Sequence, residues 1–274
     1  MDLLSYGDRI PEGDYRLHSA FANAINFRRG GILVSLVPPA AGPGPTNLVL
    51  SQLPPGARRL RASRFYFYID ENRLRKEPEL RYSSAMPEVE AAPEHVAVNL
   101  RALARLLALK APEKSMAFVF DPARERQFSR VFDRLLLERF KKGLAAMRAG
   151  NYAKGARTLR GLGLGLTPSG DDFLGGMLAG LNFARSALRF DTAGTAEIIY
   201  AKAGGGSLLS GSLLRASYDG RVNAKIGRLL AALAGPGGTE LSGAAEEALA
   251  CGHTSGADFC SGLVFSLQEL LAAG

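Results

Sequence analysis

Two stretches of this chain are written in nearly the same letters: residues 165–173 read GLTPSGDDF and residues 252–259 read GHTSGADF. With one gap at Pro168, Thr167 aligns with Thr254, Ser169 with Ser255, Gly170 with Gly256, Asp172 with Asp258, Phe173 with Phe259 and Gly176 with Gly262. Ser169 followed three positions later by Asp172 has the pattern of a capping box, in which a hydroxyl and a carboxylate satisfy the first backbone N–H groups of a helix. Phe173, Leu174, Met177, Leu178 and Leu181 then carry that helix into an apolar interior. Gly176 and Gly180, four apart on one face, allow another helix or backbone to come close. A fold built from this sequence is expected to start both helices side by side, with their N-termini facing one pocket.

The same comparison separates scaffold from chemistry. Features present in both copies are explained by the need for a cap, worth about 1 kcal/mol wherever a helix begins inside a protein. Features present once are the better candidates for chemistry: Asp171, which has Ala257 as its counterpart, and His253, which has Leu166. Exposed N–H groups at two helix starts, with the hydroxyls of Thr167, Ser169, Thr254 and Ser255, suit the oxygens of a phosphate or carboxylate. Asp171 suits a base or a metal ligand, and His253 an acid, a base or an anion contact at neutral pH. Two capped helices packed together without a ligand remain the alternative. A dinucleotide or P-loop reading of the glycine run fails, because a helical segment precedes it and no lysine follows.

Around these motifs the chain divides by pattern. HSAFANAINFRRGGILVSLVP reads as a strand, a turn at Arg29 to Gly31 and a second strand, and TNLVLSQ and ASRFYFYID read as two more. In the last of these, Phe65, Phe67 and Ile69 alternate with Tyr66, Tyr68 and Asp70. Residues 96–110 have a helical pattern, MAFVF reads as a short buried strand, and from Arg124 onward nearly every segment is helical. The expected fold class is α+β: a β-rich N-terminal domain over residues 1–122, then a mostly α-helical domain over residues 123–274 that carries the two similar Ser-Gly helix starts, with the boundary near Pro122.

Charge is unevenly placed. Residues 121–160 carry eleven Lys/Arg against four Asp/Glu, whereas residues 161–274 carry seven against ten. Phe128, Val131, Phe132, Leu135, Leu136 and Phe140 recur at helical spacing within the basic segment, which places its basic residues on a solvated face. That face is either merely soluble or attractive to an acidic partner subunit or an anionic substrate. Nucleic acid is disfavoured, since Trp is absent and no aromatic stripe interleaves the arginines as a stacking platform requires. Cys251 and Cys260 fit no zinc-ligand spacing with His253 and read as two buried thiols. No secretory leader and no apolar run of about 20 residues is legible, so a cytoplasmic protein without membrane association is expected.

The motifs GLGLGLTPSGDDFLGGMLAGL, SLLSGSLLRASYDG and CGHTSGADFCSGL, with HSAFANAINF and GPGPTNLVL nearer the start, resemble those of the AllH family in the same order over most of the chain. The family includes a subunit of oxamate carbamoyltransferase, which converts oxalurate and phosphate into oxamate and carbamoyl phosphate in purine-ring catabolism, on the route of allantoin degradation. The resemblance implies a carbamoyltransferase-like subunit with partner subunits and a small anionic substrate such as phosphate, carbamoyl phosphate or an oxamate-like molecule. Carried over by motif, it implies catalytic roles for Asp171, Asp172 and His253. Anion contacts fall to Thr167, Ser169, Gly170, Ser207, Ser210, Thr254, Ser255, Gly256 and Asp258. No cofactor is implied firmly; a divalent metal, if used, would sit on Asp171 and Asp172. Ser207 and Ser217 depart mildly from the middle motif, where Thr and a small residue, respectively, are expected. A non-catalytic scaffold subunit docking through the basic helix at Arg126, Arg130 and Arg134, and a metal-assisted hydrolase or lyase, are the other readings.

Overall fold

The computed structural model describes residues 1–273 and divides into two compact units, Met1–Ala85 with Arg221–Ala224, and Met86–Gly220 with Lys225 to the end of the described chain. The first unit is β-structure. Its strands are β1 (Leu3–Gly7), β2 (Gly13–Phe21), β3 (Ala24–Arg29), β4 (Ile32–Val37), β5 (Asn47–Leu50), β6 (Arg59–Ala62), β7 (Tyr66–Ile69), β8 (Asn72–Arg75) and β9 (Arg81–Tyr82). They form one curled sheet in the order β8-β7-β6-β2-β3-β4-β5-β1-β9, antiparallel except at the β4–β5 and β1–β9 pairs. The alternation read in YFYI holds, since Phe67 and Ile69 are fully buried and Tyr66 and Tyr68 half-buried. Phe65, just before β7, is exposed.

Two details differ from the sequence reading. The segment from His18 to Arg29 is the end of one strand and the whole of the next, because the chain turns at Ala22 and Asn23. Arginines and aromatics also do interleave, on the outer face of the sheet: Arg61 lies 5.8 Å from the centre of the Tyr68 ring and Arg73 4.8 Å from that of Tyr66. Cross-strand pairing creates this arrangement, so no single segment displays it, and one face of each ring is already occupied by its arginine.

The second unit is helical. It contains α1 (Pro93–Lys110), α2 (Val131–Arg148), α3 (Tyr152–Leu159), α4 (Ser169–Ala187), α5 (Ala193–Ala203), α6 (Leu208–Tyr218), α7 (Ala224–Ala234, from Lys225 on), α8 (Thr239–Leu249) and α9 (Ser255–Ala273). Helix α4 is buried on every side from Ser169 to Ala184, as an all-round apolar helix must be. Its partner is α9. A Cβ on Gly176 would overlap the Phe259 carbonyl, and one on Gly262 would overlap the Phe173 carbonyl, so each copy of the repeat supplies the glycine that admits the other's backbone.

Each helix of this pair has its own set of neighbours. Helix α4 packs on α3, α5 and α6, while α9 packs on α8, α1 and the 3-10 helix Met116–Val119. Two of the three neighbours of α9, α1 and the 3-10 helix, therefore come from the segment upstream of the first copy. MAFV, expected as a strand, is that 3-10 helix: it lies against α9, and the Met116 N–H goes to the Asp258 side chain instead of a sheet ladder. Pro122, where the boundary was expected, opens a further 3-10 helix inside the second unit.

Helix α2 is rotated from its expected setting. Asp133, Leu137, Phe140, Leu144 and Met147 face inward, and Asp133 is tolerated there because Lys114 Nζ lies 2.7 Å from it. Val131, Phe132 and Leu135 are consequently 70%, 58% and 56% exposed, next to the exposed Arg130 and Arg134.

Candidate functional site at three helix starts

The glycine-rich run that opens α4 is a loop whose turns only glycine takes without strain. Gly161, Gly163 and Gly165 all have positive φ, and a side chain on Gly163 would collide with the Ser169 backbone nitrogen. The loop brings Thr167 to the start of α9, where its Oγ1 lies 3.1 Å from Ser255 Oγ and donates to Asp172 Oδ2 at 3.0 Å. The two repeat motifs thus meet directly. The capping box does not form: Pro168 is the N-cap, Ser169 is already helical, and the Asp172 carboxyl turns sideways to Thr167 and toward Ser255.

The carboxyls shared by the two copies are the unusual groups. Burial pushes Asp172 up to about 8; the Ser255 and Thr167 hydroxyls hold it down, and the charges of Asp258 and Asp171 raise it further. Burial likewise pushes Asp258 up to about 6, against the Met116 N–H and the nearby hydroxyls of Ser169 and Thr254. Each carboxyl is tempered by a serine from the other copy, Ser255 for Asp172 and Ser169 for Asp258. Asp258 Oδ1 accepts the Met116 N–H at 2.6 Å, while its Oδ2 is buried without a partner among the described residues.

Asp171 faces another way. Its Oδ1 accepts the Gly161 N–H at 2.7 Å and so pins the glycine loop, while its Oδ2 is also buried without a partner. Gly206, just before the N-cap Ser207 of α6, passes so close that a Cβ there would lie 3.2 Å from Asp171 Oδ2. Ser207 Oγ donates to the Leu166 carbonyl at 3.1 Å and caps the Ser210 N–H at 3.1 Å, and Ser210 itself is fully buried. The structure therefore gathers Thr167, Asp172 and Ser255 in one contact chain and Asp171, Ser207 and Ser210 around the start of α6. His253 is exposed in the turn before α9, and its side chain makes no hydrogen bond among the described residues.

The backbone donors are unequally available. In α4 the Gly170 N–H goes to the Leu162 carbonyl at 2.8 Å, and those of Asp171 and Asp172 go to the Pro168 carbonyl at 2.8 and 3.1 Å. In α9 the Gly256 N–H goes to the Cys251 carbonyl and that of Asp258 to the Thr254 carbonyl, both at 2.8 Å. At α6 the N–H groups of Gly206, Leu208 and Leu209 have no acceptor among the described residues, and in α9 neither have those of Ser255 and Ala257. Sequence reasoning missed Arg160, whose Nη1 donates to the Gly204 carbonyl at 2.6 Å beside this start. Its place immediately before the glycine run was the available signal. It also missed Met116, which no local pattern connects to Asp258. Among the described residues no group of three or more His, Cys, Asp or Glu side chains is arranged to hold a metal ion. Both cysteines are free, Cys260 buried and Cys251 half-buried.

The stretch that builds all three helix starts is also the stretch that matches a known family model. Residues 159–267 match the family model described as oxamate carbamoyltransferase subunit AllH. The AllH match takes in α4, α6 and most of α9, and with them every site residue named from the sequence. No curated protein and no solved structure matches the chain. No described helix is long and apolar enough to cross a membrane.

Proposed function

We propose that this chain is a subunit of an oxamate carbamoyltransferase-like enzyme, cytoplasmic and serving purine-ring catabolism. It would bind a small anion at its clustered helix starts while a carbamoyl group passes between oxalurate and phosphate. One observation carries the reading: the AllH match falls on the segment in which Thr167, Asp172 and Ser255 meet. In the forward direction a phosphate oxygen bonds to the ureido carbonyl carbon, the bond from that carbon to the oxamate nitrogen breaks, and the departing nitrogen needs a proton. Asp172, pushed up to about 8, holds one at neutral pH and is the group of this site suited to give it. Its neutrality also removes a charge that would repel an anion. Asp171 and His253 remain the other proposed catalytic groups. The test is to purify the chain alone and with its candidate partner subunits and to follow phosphate-dependent release of oxamate from oxalurate. Activity in the assembled complex that Asp172→Asn lowers about 100-fold or more is expected. A complex that turns over oxalurate equally well without this chain would retire the reading.

A docking role is favoured by a separate observation. Val131, Phe132 and Leu135 present an apolar ridge at the start of α2, flanked by Arg126, Arg130 and Arg134. An apolar partner-subunit surface rimmed by carboxylates fits it. Phe132→Asp with Leu135→Asp should abolish co-purification of the partner while the isolated chain keeps its thermal midpoint. Unchanged assembly would leave the ridge without a role.

A further inference from the structure

We infer that the start of α6 is the subsite in which the carbamoyl-bearing anion is held, with Arg160 and the free N–H groups of Gly206, Leu208 and Leu209 on its anionic end and Asp171 Oδ2 on its amide end. This rests on the carbamoyltransferase reading and locates the ligand within it. Three observations converge. The first-turn N–H groups of α4 from Gly170 to Asp172 go to carbonyls, whereas those of Gly206, Leu208 and Leu209 at α6 have no acceptor among the described residues and are donors available to an anion. Arg160 stands at the same start, held to the Gly204 carbonyl through Nη1, with its remaining donors open to solvent. The decisive feature is Asp171: the residue is 1% exposed, its Oδ1 is satisfied by Gly161, and its Oδ2 is an unpaired buried acceptor turned toward Gly206.

A buried carboxylate oxygen without a donor is costly, and a ligand N–H that satisfies it gains correspondingly. An anion alone would be repelled by it. The two halves of the subsite therefore select a small molecule that is anionic at one end and carries an N–H donor at the other, which is the chemistry of a carbamoyl or primary-amide anion. Glycine at 206 follows, because a side chain there would crowd Oδ2. This gives the Asp171 carboxyl a positioning role toward the amide, distinct from proton transfer.

Oxamate and oxalate serve as probes, since they differ in one end only, amide against carboxylate. Binding of each is measured by titration calorimetry to the full chain as wild type, Asp171→Asn and Arg160→Gln. Asn keeps an oxygen for the Gly161 N–H and replaces Oδ2 with a donor, so the fold is preserved while the amide contact becomes donor against donor. Wild type should bind oxamate about tenfold or more tightly than oxalate; Asp171→Asn should erase that preference, and Arg160→Gln should weaken both probes. Thermal unfolding of each variant shows whether it is folded, and Arg160→Gln, on the surface, keeps the test alive if Asp171→Asn is not. Equal affinity of wild type for the two probes, failure to bind either, or oxamate binding unaffected by Asp171→Asn would overturn the assignment. A wild-type chain that discriminates as expected, in a complex that never transfers a carbamoyl group, would leave the subsite standing and remove the transferase reading instead.

Discussion

Asp172 is one residue in which site chemistry and fold stability are written in the same proton. Its folded value, about 8, lies above the ordinary carboxyl value of 3.8, so the folded chain holds a proton that the unfolded chain has released between those limits. Stability linked to it is therefore greatest below about pH 4, falls as pH rises toward 8, and is flat beyond. An amide is shaped like the protonated acid and cannot ionise. Asp172→Asn should thus be close to wild type in unfolding free energy at pH 4 and more stable at pH 8.5, by an amount on the order of a few kcal/mol. A shallower slope between about pH 4 and 6, from Asp258, should remain in the variant. Urea unfolding across this range decides it, and parallel profiles for the two proteins would show that Asp172 titrates normally. The sequence made Asp172 visible but misassigned it. Treating whatever both copies share as caps failed because Pro168 takes the N-cap position and the carboxyl is drawn to the other copy's serine, a partner 83 positions away in the chain. Asp171 was singled out because it occurs once, whereas the unpaired oxygen it carries, which Asp258 also has, is a matter of three-dimensional packing.

The repeat was legible at the level of elements because it is a local pattern, and the close approach of α4 and α9 was legible because glycine at matched positions has few other uses inside a helix. The contact is reciprocal, which yields a sharp expectation. Gly176→Ala and Gly262→Ala each press a methyl group into the partner's carbonyl, and each should cost about 3 kcal/mol or more, or prevent folding. Gly243→Ala is the control. It lies exposed within α8 with nothing within 4 Å of an added Cβ, and should stabilise by about 0.5–1 kcal/mol through helix propensity. Thermal melts of the three variants compare them directly; similar effects at all three positions would mean that the helices do not meet at Phe173 and Phe259. Less of α2 was legible. Helical periodicity identifies an amphipathic segment but does not fix its rotation when, as here, Asp133 is drawn inward by Lys114 and apolar residues are left over for the outer face.

At the scale of the molecule, the order of elements matters more than their count. Helix α4 packs on α3, α5 and α6, its neighbours in the chain, whereas α9 packs on α8 and also on α1 and the 3-10 helix Met116–Val119, a segment that precedes α4 in the chain. A sequence read from one end to the other places that segment with the β-region it follows, which is why the boundary was expected near Pro122. The bonds that join it to the later helices are specific. Asn99 Nδ2 donates to the Leu233 and Gly235 carbonyls, both at 3.0 Å, and the Met116 N–H is the backbone donor to Asp258. Arg124, buried between these pieces, donates to the carbonyls of Ala108, Ala111 and Pro112. Cutting at Pro122 would strip α9 of one flank and leave Asp258 without its N–H, a loss of buried apolar area and of a charge-assisted bond together. A chain beginning at Met86 keeps all of these contacts and should unfold in one cooperative transition by circular dichroism. A chain beginning at Ala123 should be expanded, bind a hydrophobic dye and lack that transition. Equal cooperativity in the two shortened chains would mean that α1 and the 3-10 helix are dispensable to the helical unit.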